Sequence, residues 1–151
     1  MRKLVLLLQC LLISLSAYAH EVRSSYLELQ ETTPSEWNVT WKQPLTNGQR
    51  LKIDPVFPPE CSESIATLSV SSATLLKRWT IKCDLDEGVI QVTGLSQTLT
   101  DTFVRVTDLS DKVRSTVLRG GESSFALSSV STSTPIFSYI RVGVELSLIH
   151  I

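Results

Sequence analysis

The chain has 151 residues, with 14 basic side chains against 15 acidic ones, a formal net charge of -1 and 42% hydrophobic content. So even a balance excludes the electrostatic footprint of a nucleic-acid binder or of a protein held by charge on an anionic membrane. The length suits one domain.

The chain opens with Arg2 and Lys3, an apolar run over 4–15, and Ala17-Tyr18-Ala19 before His20. A basic end, an apolar stretch too short to span a bilayer and small residues flanking Tyr18 form the pattern of a secretory signal peptide. Residues 1–19 are expected to be removed between Ala19 and His20, placing the rest outside the cytoplasm. Removing 19 of 151 residues leaves 132, and losing Arg2 and Lys3 leaves 12 basic against 15 acidic, a net charge near -3. Cys10 leaves with the leader; a lipoprotein reading of Leu7-Leu8-Gln9-Cys10 fails because Gln9 is not small. Cys61 and Cys83 remain as an even pair in an oxidising compartment and are expected to be bonded. Over their 22-residue separation the chain-entropy model assigns such a bond about 3 kcal/mol. A two-thiolate metal site at the same pair lacks a neighbouring histidine.

Beyond the leader the apolar period is two, in short runs bounded by Gly, Pro, Asn, Asp and Ser, which predicts strands. The first covers 26–31 with Leu27 and Leu29 on one face, and the second 37–42 with Trp37, Val39 and Trp41 alternating with polar residues. After Pro44 and the Asn47-Gly48 turn, Leu51 and Ile53 predict a third strand ending at Pro55. Pro55, Pro58 and Pro59 exclude residues 55–61 from a central strand and predict a loop held by Cys61. Trp79, Ile81 and Cys83 point inward over 75–83, opposite Arg78, Thr80 and Lys82. An acidic turn over 84–88 leads to Ile90 and Val92; a Ser/Thr loop between Leu95 and Leu99 precedes Val104 and Val106. Residues 113–119 and 124–127 are the last strands. The expected fold is all-β, an antiparallel β-sandwich, immunoglobulin-like or related, over 20–127, with Trp37, Trp41 and Trp79 as core fill. A mixed α+β domain is the alternative, with a helix inside 62–76. Residues 128–136 read as a Ser/Thr-rich linker, and the apolar start over 137–145 as the opening of a transmembrane helix too short here to cross a bilayer.

Chemistry-bearing motifs are few. The sequence has no His-Glu-x-x-His, Gly-x-Ser-x-Gly, phosphate-cradling glycine loop or Cys-x-x-Cys, and its only histidines are His20 and His150. No catalytic residue and no cofactor is assigned. His20, made N-terminal by cleavage, would set an α-amine beside its imidazole, a pair able to chelate copper and the one metal-ligand candidate; a copper-brace oxidase would need a second histidine from the folded domain. Asp84, Asp86 and Glu87 before Gly88 resemble a fragment of a calcium loop but lack its later ligands, so a solvated turn is expected. Asp101 is expected to pair with Arg105 or to cap a turn. Asn38-Val39-Thr40 is a glycosylation sequon lying within a strand, of consequence only in a eukaryotic source.

Several segments carry a family resemblance: His20-Glu21-Val22-Arg23 with Tyr26-Leu27-Glu28-Leu29, residues 37–42, Asp54-Pro55 with Cys61, Arg78-Trp79 with Cys83, and Gly94-Leu95 followed by Thr98-Leu99-Thr100-Asp101 and Val104-Arg105-Val106. Together they resemble the extracytoplasmic N-terminal region of bacterial HupE/UreJ-type membrane proteins, over most of 20–145. The resemblance implies that the exported domain leads into a transmembrane bundle opened by Tyr-x-x-x-Gly-x-x-His, in a family associated with nickel or cobalt handling. Tyr139 and Gly143 fit that opening, but Leu146 stands where the histidine belongs, so no membrane metal residue is carried over.

Residues 146–151, Leu-Ser-Leu-Ile-His-Ile, resemble the translation of a sequencing-adapter end, which accounts for the break. Two functional classes are compatible with these features. One is the periplasmic-side domain of a membrane-anchored, metal-transporter-like protein whose partners are its own transmembrane part and a metal ion or protein. The other is a freestanding secreted β-sandwich that binds protein or glycan. Resequencing the locus across the codon for Glu145 is expected to reveal further membrane-spanning sequence; a genuine stop directly after Ile151 would defeat that expectation.

Overall fold

The computed structural model describes residues 24–71 and 73–130. The expected leader with Ala19 and His20, the part of the expected linker beyond residue 130, the segment 137–145 and the terminal 146–151 lie outside the described residues. Among the described residues eleven strands form: β1 (Ser25–Thr33), β2 (Glu36–Thr46), β3 (Gln49–Arg50), β4 (Asp54–Val56), β5 (Ser62–Glu63), β6 (Thr67–Ser71), β7 (Thr74–Lys82), β8 (Val89–Thr93), β9 (Thr102–Thr107), β10 (Val113–Leu118) and β11 (Ser124–Ala126). The fold is all-β and sandwich-like, with unequal layers. The large sheet runs β10-β9-β1-β2-β7-β5, with β6 also on β7 and β3 on β2; the small sheet runs β11-β8-β4. All pairings of named strands are antiparallel except β1 with β9, which are parallel. Parallel neighbours need a long crossover, here everything from β2 to β8, so period two alone could not reveal this pairing.

Alternation places the core. Leu27 and Leu29 of β1, Trp37, Val39 and Trp41 of β2, Trp79 and Ile81 of β7, and Val104 and Val106 of β9 are all buried on one face of the large sheet. Ile90 and Val92 of β8 and Phe125 of β11 meet them from the small sheet, joined by Ile53, Phe57, Leu85, Leu95 and Leu127 from connections. The three tryptophans are therefore core fill. Cys61 and Cys83 are bonded, with Cα atoms 4.7 Å apart, which removes the two-thiolate metal alternative. The bond continues a ladder: Cys61 precedes β5, Cys83 follows β7, and Ser62 faces Lys82.

Two expectations change. The described residues of 62–76 contain no helix; 62–63 form β5, 67–71 form β6 and 74–76 start β7, because β7 offers a free edge along which this segment pairs. The third strand is displaced: 51–53 lie outside any strand, while Asp54, Pro55 and Val56 form β4 on the edge of the small sheet, where a proline's missing N–H can face away from β8. Ile53 is nevertheless fully buried, so its alternation with Lys52 and Asp54 reported burial without pairing. Asn47 and Gly48 both take positive φ, 52° and 75°, and close the β2–β3 hairpin as that dipeptide does in a type I′ turn. Gly94 has φ 74°, and a Cβ there would overlap the Lys52 carbonyl oxygen, so the chain passes that segment only as glycine. After β11, residues Leu127–Ser129 form a 3-10 turn and Val130 packs on the core.

The inner face of β2 carries a polar fault. Gln43 is fully buried, and among the described residues neither its amide nitrogen nor its amide oxygen has a hydrogen-bond partner; the Trp41 and Trp79 indole N–H groups have none there either. Leaving a buried amide unpaired costs about 1–3 kcal/mol. Gln43→Met, close in volume and apolar, is expected to raise unfolding free energy by about that much. A chemical denaturation series showing equal or lower stability for the variant would remove the unpaired-amide account.

Candidate functional site

Among the concavities that the large sheet helps to build, two gather charged side chains with an aromatic ring. The first lies at the end where β1 turns into β2: about 370 Å³, lined among others by Glu31, Trp37, Asp84, Asp86, Asp108 and Arg114. Its carboxylates are engaged in holding loops. Glu31 accepts from the backbone N–H of Ser35 at 3.2 Å and of Leu109 at 3.2 Å. Asp84 accepts from the N–H of Asp86 at 2.9 Å, the turn geometry expected of a short acidic side chain, not a calcium loop. Asp108 accepts from the Ser110 hydroxyl at 2.6 Å, from the Ser110 and Lys112 N–H groups, and from the Arg114 guanidinium at 3.3 Å. Among the described residues no group of three or more His, Cys, Asp or Glu side chains is arranged to hold a metal ion.

The second concavity lies on the outer face of the large sheet. It encloses about 650 Å³ and is lined by Ser24, Tyr26, Thr40, Lys42, Ser69, Ser71, Thr74, Leu76 and Arg78. Register creates it. One row crosses the sheet as Phe103, Tyr26, Lys42, Leu76 and Ser69, and the next as Arg105, Glu28, Thr40, Arg78 and Thr67. Lys42 and Arg78 are diagonal neighbours across β2 and β7, roughly 7 Å apart at the backbone and within joint reach of one ligand. Among the described residues neither forms an ion pair; the pairs present are Arg50 with Asp54, Lys82 with Glu36, Arg114 with Asp108 and Arg119 with Asp101. The last corrects the expected Asp101–Arg105 partnership, because Arg105 on β9 faces Glu28 of β1 while Arg119 follows β10.

Beside the two cations, the Tyr26 and Phe103 rings stack with centroids 5.9 Å apart and planes 6° from parallel. The Tyr26 hydroxyl donates to Glu28 at 3.1 Å. Burial, followed by the negative charge of Glu28, pushes the Tyr26 phenol above its ordinary range, with Arg105 opposing, so the ring stays neutral at physiological pH. The groove thus offers a fixed aromatic edge, two cations and a row of hydroxyls. Asn38 of the sequon lies on the same outer face and accepts from the Thr80 hydroxyl at 3.4 Å.

The residues singled out from sequence fall elsewhere. Cys61 and Cys83 are structural, and Ala19 and His20 lie outside the described residues. Tyr26, Lys42 and Arg78 drew no functional reading from the sequence, since solvated outer positions of strands are commonly basic or polar. Register alone brings them together. The available signal was that Lys42, Arg78 and Arg105 all occupy outer phases of strands that enter one sheet.

Hydrogen bonds from Ser110, and further ones from Lys112 and Arg114, hold the Asp108 carboxyl below its ordinary range despite partial burial. A carboxyl depressed in the folded state contributes stability above its unfolded value and loses it as pH falls through the folded one. Asp108→Asn is accordingly expected to lower stability by about 1–2 kcal/mol at neutral pH and to flatten the loss of stability below the normal carboxylate range. Parallel unfolding curves of both proteins across acidic pH check this, and equal pH slopes would contradict it. Comparison with family models, with curated proteins and with solved structures yields no match to this chain.

Proposed function

We propose that the chain is the extracytoplasmic, non-catalytic binding domain of a HupE/UreJ-type membrane protein, exported by residues 1–19 and anchored through sequence following the domain. The observation that carries the binding role is that Lys42 and Arg78 line one groove of about 650 Å³ together with Tyr26, whose ring stacks on Phe103. Two cations that form no ion pair among the described residues favour an anionic ligand, and an aromatic edge flanked by Ser24, Thr40, Ser69, Ser71 and Thr74 suits one rich in hydroxyls. An acidic glycan fits both requirements. The Cys61–Cys83 bond supports an oxidising location. The family assignment, and with it a link to nickel or cobalt handling, rests on the segments quoted from the sequence; His20 as a chelating terminus belongs to that part of the proposal. The second reading, a freestanding secreted glycan-binding sandwich, would use the same groove and differs only in lacking a membrane part beyond residue 145.

Calorimetry of the chain beginning at His20 is expected to show binding of polygalacturonate that weakens with salt, and none of neutral dextran. Lys42→Glu with Arg78→Glu should weaken it about tenfold or more, since each cation contributes a charge-assisted hydrogen bond of about 1.5–3 kcal/mol. Unchanged affinity in the double variant, or no uptake of the acidic polymer, would overturn the groove's assignment. Nickel titration with His20 free and blocked tests the metal part, which fails if blocking changes nothing.

A further inference from the structure

The large sheet has two lateral edges, and they differ in chemistry. β10 forms one, and it carries Arg114 between the flanking Lys112 and Arg119. β5 and β6 share the other, along the free side of β7. The edges of the small sheet, β4 and β11, are three residues each, and β4 contains Pro55. Short length, proline and charge are the devices that keep strand edges from pairing with other chains. β6 has none of them. All five of its residues are exposed, Leu68 and Val70 at 63% and 67%, and residues 64–76 carry no charge. Among the described residues nothing pairs with the side of β6 turned away from β7, so a row of backbone donors and acceptors stands open there.

We infer that β6 is a homodimer edge, at which two copies of the chain pair β6 with β6 antiparallel about a two-fold axis at Ser69. A two-fold interface must be complementary to itself, and this register satisfies that condition. Ser69 faces Ser69 of the second copy, Leu68 faces Val70, and Thr67 faces Ser71, so all five residues pair and no centre one residue away achieves this. Leu68 and Val70 lie in phase with Leu75 and Lys77, on the face that carries Trp79 and Ile81 but beyond the cover of the small sheet. Pairing brings four such apolar side chains, two from each copy, into one patch. Charge also selects the occupant. Past the leader the chain is acidic overall, so copies repel across most faces, and the neutral edge is where they approach at least cost; a charged peptide finds no counter-charge on it. The large sheets of two copies would run on continuously, leaving the outer grooves on the same side.

Sedimentation of the chain beginning at His20 over a concentration series is expected to show a reversible monomer–dimer equilibrium. Leu68→Lys with Val70→Lys sets like charges directly opposite one another twice and should raise the dissociation constant about tenfold or more. Val117→Lys, on the exposed part of β10, should leave it unchanged. Ser69→Cys should give a covalent dimer on mild oxidation, and this variant decides the matter if the lysine pair impairs folding. A chain monomeric throughout, a dimer insensitive to the lysine pair, or one dissolved by Val117→Lys would overturn the inference. So would a monomer that instead takes up an extended peptide along β6.

Discussion

The ladder between β2 and β7 is the constraint on which the remaining structure depends. Nine register pairs run from Glu36 with Lys82 to Pro44 with Thr74. The inner face of this ladder presents Trp37 opposite Ile81 and Val39 opposite Trp79, with Trp41 one step further along. Burying an aromatic side chain removes about 150–250 Å² from water, which at about 25 cal/mol per Å² favours folding by roughly 5 kcal/mol for each tryptophan before entropy is counted. No other strand pair concentrates so much apolar area. β1 and then β9 extend this platform on one side, and β5 and β6 on the other; Phe57 approaches Trp79 edge-on at 6.0 Å from outside the ladder. The Cys61–Cys83 bond sits at its far end and keeps β5 beside Lys82, where a two-residue strand could not hold by itself.

Such a ladder is legible from residues because alternation survives in every strand that feeds it. Trp37, Val39 and Trp41 against Asn38, Thr40 and Lys42 state both the strand and the direction of the core, and Trp79 and Ile81 against Arg78, Thr80 and Lys82 repeat it. What alternation cannot state is who pairs with whom. The parallel contact of β1 with β9 joins residues 77 apart in sequence, and the free side of β7 decides that 62–63 and 67–71 are strands. The outer groove was hidden for the same reason. Lys42 and Arg78 are ordinary solvated positions on separate strands until register makes them neighbours, and Tyr26 is an ordinary outer residue until β9 brings Phe103 against it.

Aromatic weight on one ladder carries a polar cost. Indole N–H groups enter the core with the rings, and among the described residues only that of Trp37 finds a partner, the Cys83 carbonyl at 3.3 Å. That bond ties a core ring to the disulfide loop. Trp79 receives a different compensation: the Lys77 ammonium lies over its ring, 4.5 Å from the centroid, with its aliphatic stem along the inner phase of β7. Lys77 takes up that place because the small sheet is too narrow to cover the whole inner face. The uncovered margin lies along β6 and the start of β7, where Leu68 and Val70 stand exposed. An eight-stranded layer against a three-stranded one cannot bury both its margins.

The mismatch in layer width therefore sorts the surface into regions of different chemistry. Over the middle of the large sheet one face is dry, and alternation forces the opposite face to be polar; there Lys42, Arg78 and Arg105 stand beside Glu28, Thr40 and the stacked pair Tyr26 and Phe103. At the β10 margin, Arg114 reaches Asp108 and also donates to the Leu127 carbonyl at 3.2 Å, so the chain's last described turn is drawn across that side. Among the described residues β6 has no covering turn, and the strand itself carries no charge. Serines and threonines on the outer phase of β6 extend the polar face, while Leu68 and Val70 on the inner phase extend the apolar one. A strand so divided is already patterned as the middle of a wider sheet, although among the described residues it is an edge. The polar groove on the outer face and the open edge at β6 thus draw on one cause, a layer broader than its partner.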